Sequence, residues 1–142
     1  MATLAIIYGT GFGNTGLMAE AIQEGAKNAG IQVIIKNVTE TSLDDIKNAD
    51  AIAIGSATYK GKAMPAVISF VQNMKGSPVK GKVGTAFGSY GWSGEAAGVI
   101  SEMLKGYGMD VLEPGLRIKR RPAAAGIEEC KQLGKLLAEK IQ

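Results

Sequence analysis

Leu4-Ala5-Ile6-Ile7-Tyr8-Gly9-Thr10-Gly11-Phe12-Gly13-Asn14-Thr15-Gly16 passes from an apolar run straight into glycines and hydroxyl groups. The run Leu4 to Tyr8 predicts a strand buried on both faces, as a parallel sheet requires. From about Thr15 to Ala29 the sequence predicts a helix. Met18, Ile22, Gly25, Ala26 and Ala29 fall on one stripe, and Gly30 stands where a left-handed C-terminal cap belongs. A buried strand, a glycine-rich turn and an amphipathic helix make the first half of a parallel crossover unit.

The unit repeats along the chain. Val33 to Ile35 predicts a second strand, and Ser42 with Asp45 a capping signal for a short helix ending near Ala49. Ala51 to Ile54 predicts a third strand. Pro65 then opens a helix whose Val67, Phe70, Val71 and Met74 keep helical spacing. Val83 to Phe87 predicts a fourth strand, and Gly94 to Tyr107 a helix with Ala96, Val99, Ile100, Met103, Leu104 and Tyr107 buried. Leu116 to Ile118 predicts a fifth strand, and Ala124 to Ile141 a closing helix on whose buried stripe Ile127, Cys130, Leu137 and Ile141 lie. Strict alternation implies an α/β, doubly wound, five-stranded parallel sheet with helices on both faces and right-handed crossovers. The expected order is 2-1-3-4-5, with charges such as Lys36 and Arg117 marking strands two and five as edges.

Composition narrows the chemistry. The 142 residues fit one domain, residues 1–142, and no apolar run is long enough to span a bilayer. The first residues lack the pattern of a secretory signal, so a cytoplasmic protein without a membrane partner is expected. With one cysteine, Cys130, and no histidine, a conventional zinc or iron site or a Cys/His nucleophile is not expected, and no catalytic residue stands out. The net charge of +3 comes from scattered lysines and one basic run, Arg117, Lys119, Arg120 and Arg121. That is too little for nucleic-acid binding but suits an acidic partner. A monomer is the default.

In a doubly wound sheet, ligands bind beyond the carboxyl ends of the strands where the winding direction reverses. The loops there are unusual in composition. After strand one come Gly9-Thr10-Gly11-Phe12-Gly13-Asn14-Thr15-Gly16, and after strand three Gly55-Ser56-Ala57-Thr58-Tyr59-Lys60-Gly61-Lys62. Strand four is followed by Gly88-Ser89-Tyr90-Gly91-Trp92-Ser93-Gly94. Glycines let the first loop fold closely around an anion, Thr10, Asn14 and Thr15 supply donors, and the next helix supplies free N–H groups and the positive end of its dipole. The loop has no Lys or Arg, and the Gly-Lys-Ser/Thr ending of a nucleoside-triphosphate loop is absent, which points to a terminal phosphate. Gly11 to Gly16 also matches Gly-x-Gly-x-x-Gly, so a dinucleotide site is an alternative. No acidic residue ends strand two to grip a ribose, and the chain is short for that fold. A third reading makes the glycines a tight turn only.

Tyr59, Tyr90 and Trp92 are three of the eight aromatic residues, and all sit in the second and third loops. Flat side chains on opposite walls of a crevice can stack on a fused ring, with Gly61 and Gly91 letting backbone groups reach its edge. Beside a phosphate loop, they describe a mononucleotide with a large planar ring.

At these residues the chain resembles flavodoxins, and more closely the FMN-binding domain of flavodiiron proteins. The loop Thr10 to Thr15 is similar to the family's phosphate loop, and Gly88 to Gly94 is similar to the flavodiiron flavin loop almost letter for letter. The resemblance implies FMN as cofactor, its phosphate on Thr10, Gly11, Phe12, Gly13, Asn14 and Thr15. The ring would lie between Ser56, Ala57, Thr58, Tyr59, Lys60 and Gly61 on one side and Gly88, Ser89, Tyr90, Gly91 and Trp92 on the other. The Lys60–Gly61 peptide would face the flavin N5 and flip to accept a hydrogen bond from the half-reduced ring. Lys60 and Lys62 flank the ring where many flavodoxins carry acids, which would favour its anionic, fully reduced form.

The implied function is electron transfer between redox partner proteins, donor and acceptor oxidoreductases. The alternatives are a small FMN-dependent NAD(P)H:quinone reductase and a detached flavin module serving a separate di-iron subunit, which this histidine-free chain does not supply. A flavin-free signalling domain would want an acidic phospho-acceptor where Ser56 stands.

Overall fold

The computed structural model describes residues 2–142. Five long parallel strands form the sheet: β1 (Thr3–Gly9), β2 (Gln32–Asn37), β3 (Ala51–Ser56), β6 (Val83–Tyr90) and β7 (Asp110–Lys119). Their order is β2-β1-β3-β6-β7, which is the expected 2-1-3-4-5 winding. Two-residue strands β4 (Thr58–Tyr59) and β5 (Lys62–Ala63) form a small antiparallel hairpin at the carboxyl end of the sheet, where Thr58 pairs with Tyr90 of β6.

Alternation along β1 divides the interior in two. Leu4 and Ile6 face one side with Met18 and Ile22 of α1 (Asn14–Asn28) and Cys130 and Leu137 of α5 (Ala124–Ile141). Ala5 and Ile7 face the other with Val67 and Val71 of α3 (Pro65–Asn73) and Ile100 and Leu104 of α4 (Glu95–Gly106). Every residue of β3 is buried, as a central strand covered on both faces must be.

Local differences from the sequence reading have identifiable causes. Val99 is exposed, because the buried stripe of α4 runs through Ala96, Ala97, Ile100, Ser101 and Leu104, a turn-phase away. The short helix is α2 (Asp44–Lys47), and half of the expected Ser42–Asp45 capping pair is formed: the Asp45 carboxylate accepts from the Ser42 N–H at 2.9 Å and also from Lys36 Nζ at 2.8 Å, while no side chain caps the first amides of the helix. Strand β7 is longer than Leu116 to Ile118, because its register shifts opposite Thr85 to Phe87 and the irregularity hides its first half from a pattern reading.

Gly25 and Gly134 fix the crossing of α1 with α5. A Cβ on Gly25 would overlap the Lys131 carbonyl oxygen, and one on Gly134 the Ile22 carbonyl oxygen. Backbone therefore rests on backbone there, which only glycine permits. Gly30, at φ 94°, ends α1 as expected.

Candidate functional site

The loop after β1 turns at Gly13, whose φ of 89° lies in the left-handed region. The Gly13 N–H donates to Thr10 Oγ1 at 2.9 Å, closing the loop on itself. α1 then starts at Asn14 with no side-chain cap and no acid in its first turn. The amides of Asn14, Thr15 and Gly16 can find no acceptor inside the helix, so they and the helix dipole offer an anion site. Thr15 itself is buried, and its hydroxyl shares a 2.7 Å hydrogen bond with Ser89 Oγ.

Two hydroxyls brace the loop after β3. Ser56 Oγ donates to the Ala57 carbonyl at 2.8 Å and accepts from the Met64 N–H at 2.9 Å. Thr58 Oγ1 accepts from the Ala96 N–H at 3.0 Å and so caps α4, which has no capping side chain of its own. Between β4 and β5 the chain reverses through Lys60 (φ 51°) and Gly61 (φ 75°). Positive φ at both positions is the mark of a type I′ hairpin turn, and holding a lysine there costs about 1 kcal/mol. The Tyr59 hydroxyl packs so closely on Gly11 that a side chain at Gly11 would collide with it, and the Phe12 ring meets Tyr59 edge-on at 6.3 Å.

The third wall follows β6. A Cβ on Gly88 would overlap the Ser56 carbonyl oxygen, so glycine is what lets β6 lie close beside β3 here. Ser89, Tyr90, Gly91 and Trp92 then edge the cleft, with Trp92 95% and Phe12 86% exposed at its mouth. A fourth element was not anticipated as part of the site. Arg120, after β7, lines the cleft with φ 59°, and its N–H donates to the Tyr90 carbonyl at 2.6 Å.

The cleft encloses about 410 Å³. Twelve of the seventeen residues singled out from the sequence border it: Thr10, Gly11, Phe12 and Asn14 from the first loop, Ala57, Thr58, Tyr59 and Lys60 from the second, and Ser89, Tyr90, Gly91 and Trp92 from the third. Gly13, Thr15, Ser56, Gly61 and Gly88 lie behind or beside the lining, where they shape the turns and hold the loops together. Lys62, at the foot of the hairpin opposite Tyr59, also lies outside the lining.

This donor set fits a phosphorylated planar ring. The cleft lining offers uncapped helix amides and neutral hydroxyl groups together with aromatic side chains and the cations Lys60 and Arg120. The volume falls within the ~300–1,000 Å³ usual for small-molecule sites.

Comparison with known proteins agrees with this geometry. A family model described as flavodoxin matches residues 6–134. An archaeal flavodoxin structure superposes with a TM-score of 0.95 at 40% identity, covering 98% of each chain. The type A flavoprotein fprA of Rhodobacter capsulatus is 38% identical over 98% of this chain but only 33% of its own length. The rubredoxin oxygen:oxidoreductase of Desulfovibrio gigas superposes with a TM-score of 0.93 at 29% identity, covering 98% of this chain and 36% of that one. The chain thus spans about a third of the length of the curated relatives it matches. Uncapped helix, aromatic cleft and sequence likeness converge: the chain belongs to the flavodoxin family, whose cofactor is FMN.

Proposed function

We propose that the cleft holds one non-covalent FMN, with its phosphate on the Thr10 to Thr15 loop and its ring between Tyr59 and Trp92, and that the chain works as an electron carrier between redox proteins. The observation that carries this reading is the start of α1: three amides and no acidic or capping side chain, facing a cleft with aromatic walls.

When bound, FMN supplies one- and two-electron redox chemistry. The residues of this chain do the rest. Thr10 Oγ1 already accepts from Gly13, so its hydroxyl proton is left to donate to a phosphate oxygen. Neutral donors hold the phosphate without adding positive charge beside it. Ser56, Thr58 and Thr15 tie the walls to β3, α4 and β6, which keeps the cleft in shape before the ligand arrives. The Lys60–Gly61 turn presents a peptide between two residues at positive φ, and Lys60 adds a cation to the lining.

A likeness to a flavodoxin over nearly the full length of both chains supports the free carrier. The coverage of fprA over only a third of its length supports a second reading, in which the chain is the flavin module for a separate oxidoreductase.

Titration of apo-protein with FMN and with riboflavin, followed by loss of flavin fluorescence, tests the site. Micromolar or tighter binding of FMN is expected, with riboflavin much weaker. Thr10→Val should weaken FMN about tenfold and leave riboflavin unchanged. Equal affinity for the two ligands would remove the phosphate assignment, and no uptake of either would remove the function.

A further inference from the structure

The charges of this chain are distributed unevenly about the cleft. Lys60 and Arg120 both line it. Arg117 borders an adjoining depression together with Tyr90, Trp92 and Glu95. Lys62 sits across the hairpin from Tyr59, Lys119 is the strand partner of Tyr90, and Arg121 follows Arg120. All six are exposed, and none makes an ion pair among the described residues. Elsewhere Lys36 is paired with Asp45, Lys105 with Glu102 and Glu113, and Lys131 with Glu24, while Lys27, Lys47, Lys75, Lys80, Lys82, Lys135 and Lys140 make no ion pair among the described residues but are spread over α1, α2, α5 and residues 75–82. The acidic residues lie mainly along α1, α2 and α5, or at the amino ends of β3 and β7, as Asp50 and Asp110 do. Glu95 is the one carboxylate bordering these two adjoining depressions.

Beside these cations Phe12, whose side chain has no part in the proposed ring contacts, stands almost fully exposed at the mouth of the cleft. Large aromatic side chains are normally withdrawn from water, whereas interfaces favour an aromatic centre with a charged rim and are enriched in Tyr, Trp and Arg. Six exposed cations around one cleft, against the single carboxylate of Glu95 among the residues lining the two depressions, give that end a positive field.

We infer that the mouth of the cleft is the docking surface for an acidic redox protein, steered by the six cations and seated beside Phe12. This rests on the flavin-carrier reading and names its partner class. In the encounter one electron leaves the reduced flavin of this chain and enters the oxidised metal centre of the acidic partner, so the carrier is oxidised by one electron and the partner reduced by one.

The test uses dithionite-reduced, FMN-loaded protein in stopped flow, with an acidic rubredoxin as acceptor and basic cytochrome c and a neutral benzoquinone as controls. The variant is Arg117→Gln/Lys119→Gln/Arg121→Gln, three positions outside the cleft lining. The rubredoxin rate constant is expected to fall about tenfold or more between 20 and 300 mM salt, while that of cytochrome c rises. In the variant, the rubredoxin rate at low salt should drop about tenfold and its salt slope flatten. FMN affinity and the benzoquinone rate should not change.

A salt-independent rubredoxin rate, or a variant as fast as the parent, overturns the docking proposal while leaving the carrier intact. Rapid reduction of the flavin by NADPH that the variant loses would also overturn it, assigning the cations to a dinucleotide phosphate instead. Failure to bind FMN at all would remove the carrier reading, and docking with it.

Discussion

The hydroxyl groups of Thr15 and Ser89 meet in a buried hydrogen bond of 2.7 Å, joining the turn after β1 to the end of β6. The two residues are 74 positions apart. Their bond fixes the distance between the end of the cleft suited to an anion and the wall that carries Tyr90 and Trp92. Thr15→Val leaves the Ser89 hydroxyl buried without this partner, which costs about 1–3 kcal/mol. We expect a matching loss in urea denaturation and FMN affinity weaker by about tenfold. A variant with native affinity would show that the two walls are registered by other contacts.

Glycine substitutions separate contact from conformation. Gly25→Ala or Gly134→Ala drives a Cβ into a backbone carbonyl of the facing helix and should cost about 3 kcal/mol or more. Gly106→Ala, at the end of α4, meets nothing within 4 Å and should be neutral or stabilising by about 0.5–1 kcal/mol. Chemical denaturation of the three variants checks the ranking, and similar losses in all would contradict the α1–α5 crossing.

At the hairpin tip, Gly61→Ala imposes a side chain on a φ of 75° beside the Glu95 carboxylate, which lies 3.0 Å from where the new Cβ would stand. The carboxylate can swing away, but the backbone strain remains. We expect the gap between the two one-electron flavin potentials to narrow in a redox titration. An unchanged gap would remove the Lys60–Gly61 peptide from any part in redox tuning.

Lys60→Gln withdraws a cation from the lining. The second, more negative potential should shift further negative by tens of millivolts, on the order of one tenfold step at ~59 mV. The shift should shrink in high salt, because Lys60 is exposed.

Burial, with a smaller push from Glu129, raises the Cys130 thiol to about 12. The folded protein therefore keeps its proton where an unfolded chain, with a thiol near 9, loses it. Stability from this group is complete below pH ~9 and falls as pH rises toward ~12. Cys130→Ala should flatten that part of the stability profile, and the native thiol should resist disulfide reagents at neutral pH.

Much of this was readable because the relevant signals are periodic or compositional. Leu4 to Tyr8 and Ala51 to Ile54 read as central strands since burial on both faces leaves no polar alternation to confuse them. The three loops stood out because glycine, hydroxyl and aromatic residues crowd there. The β4–β5 hairpin escaped, since two-residue strands have no period. Arg120 was seen only as part of a basic run. Its place in the cleft depends on a positive φ and a main-chain bond to Tyr90, neither of which leaves a mark on side-chain pattern. One clue was available: the turn after the last strand shares the carboxyl edge with the other loops. Gly134 was overlooked because a glycine within a helix reads as a weak spot, and only the facing backbone explains it.

The Gly25–Gly134 crossing also bears on the chronology of assembly. Every residue bordering the cleft except Arg120 has been synthesised by position 92, yet the helix whose amides would grip the anion is seated against a segment that emerges 42 residues later. A ribosome-bound chain stalled before α5 would therefore carry a nearly complete set of ligand-facing residues on an unanchored first helix. Cofactor capture becomes the closing event of folding, and flavin can report that the final turns have docked.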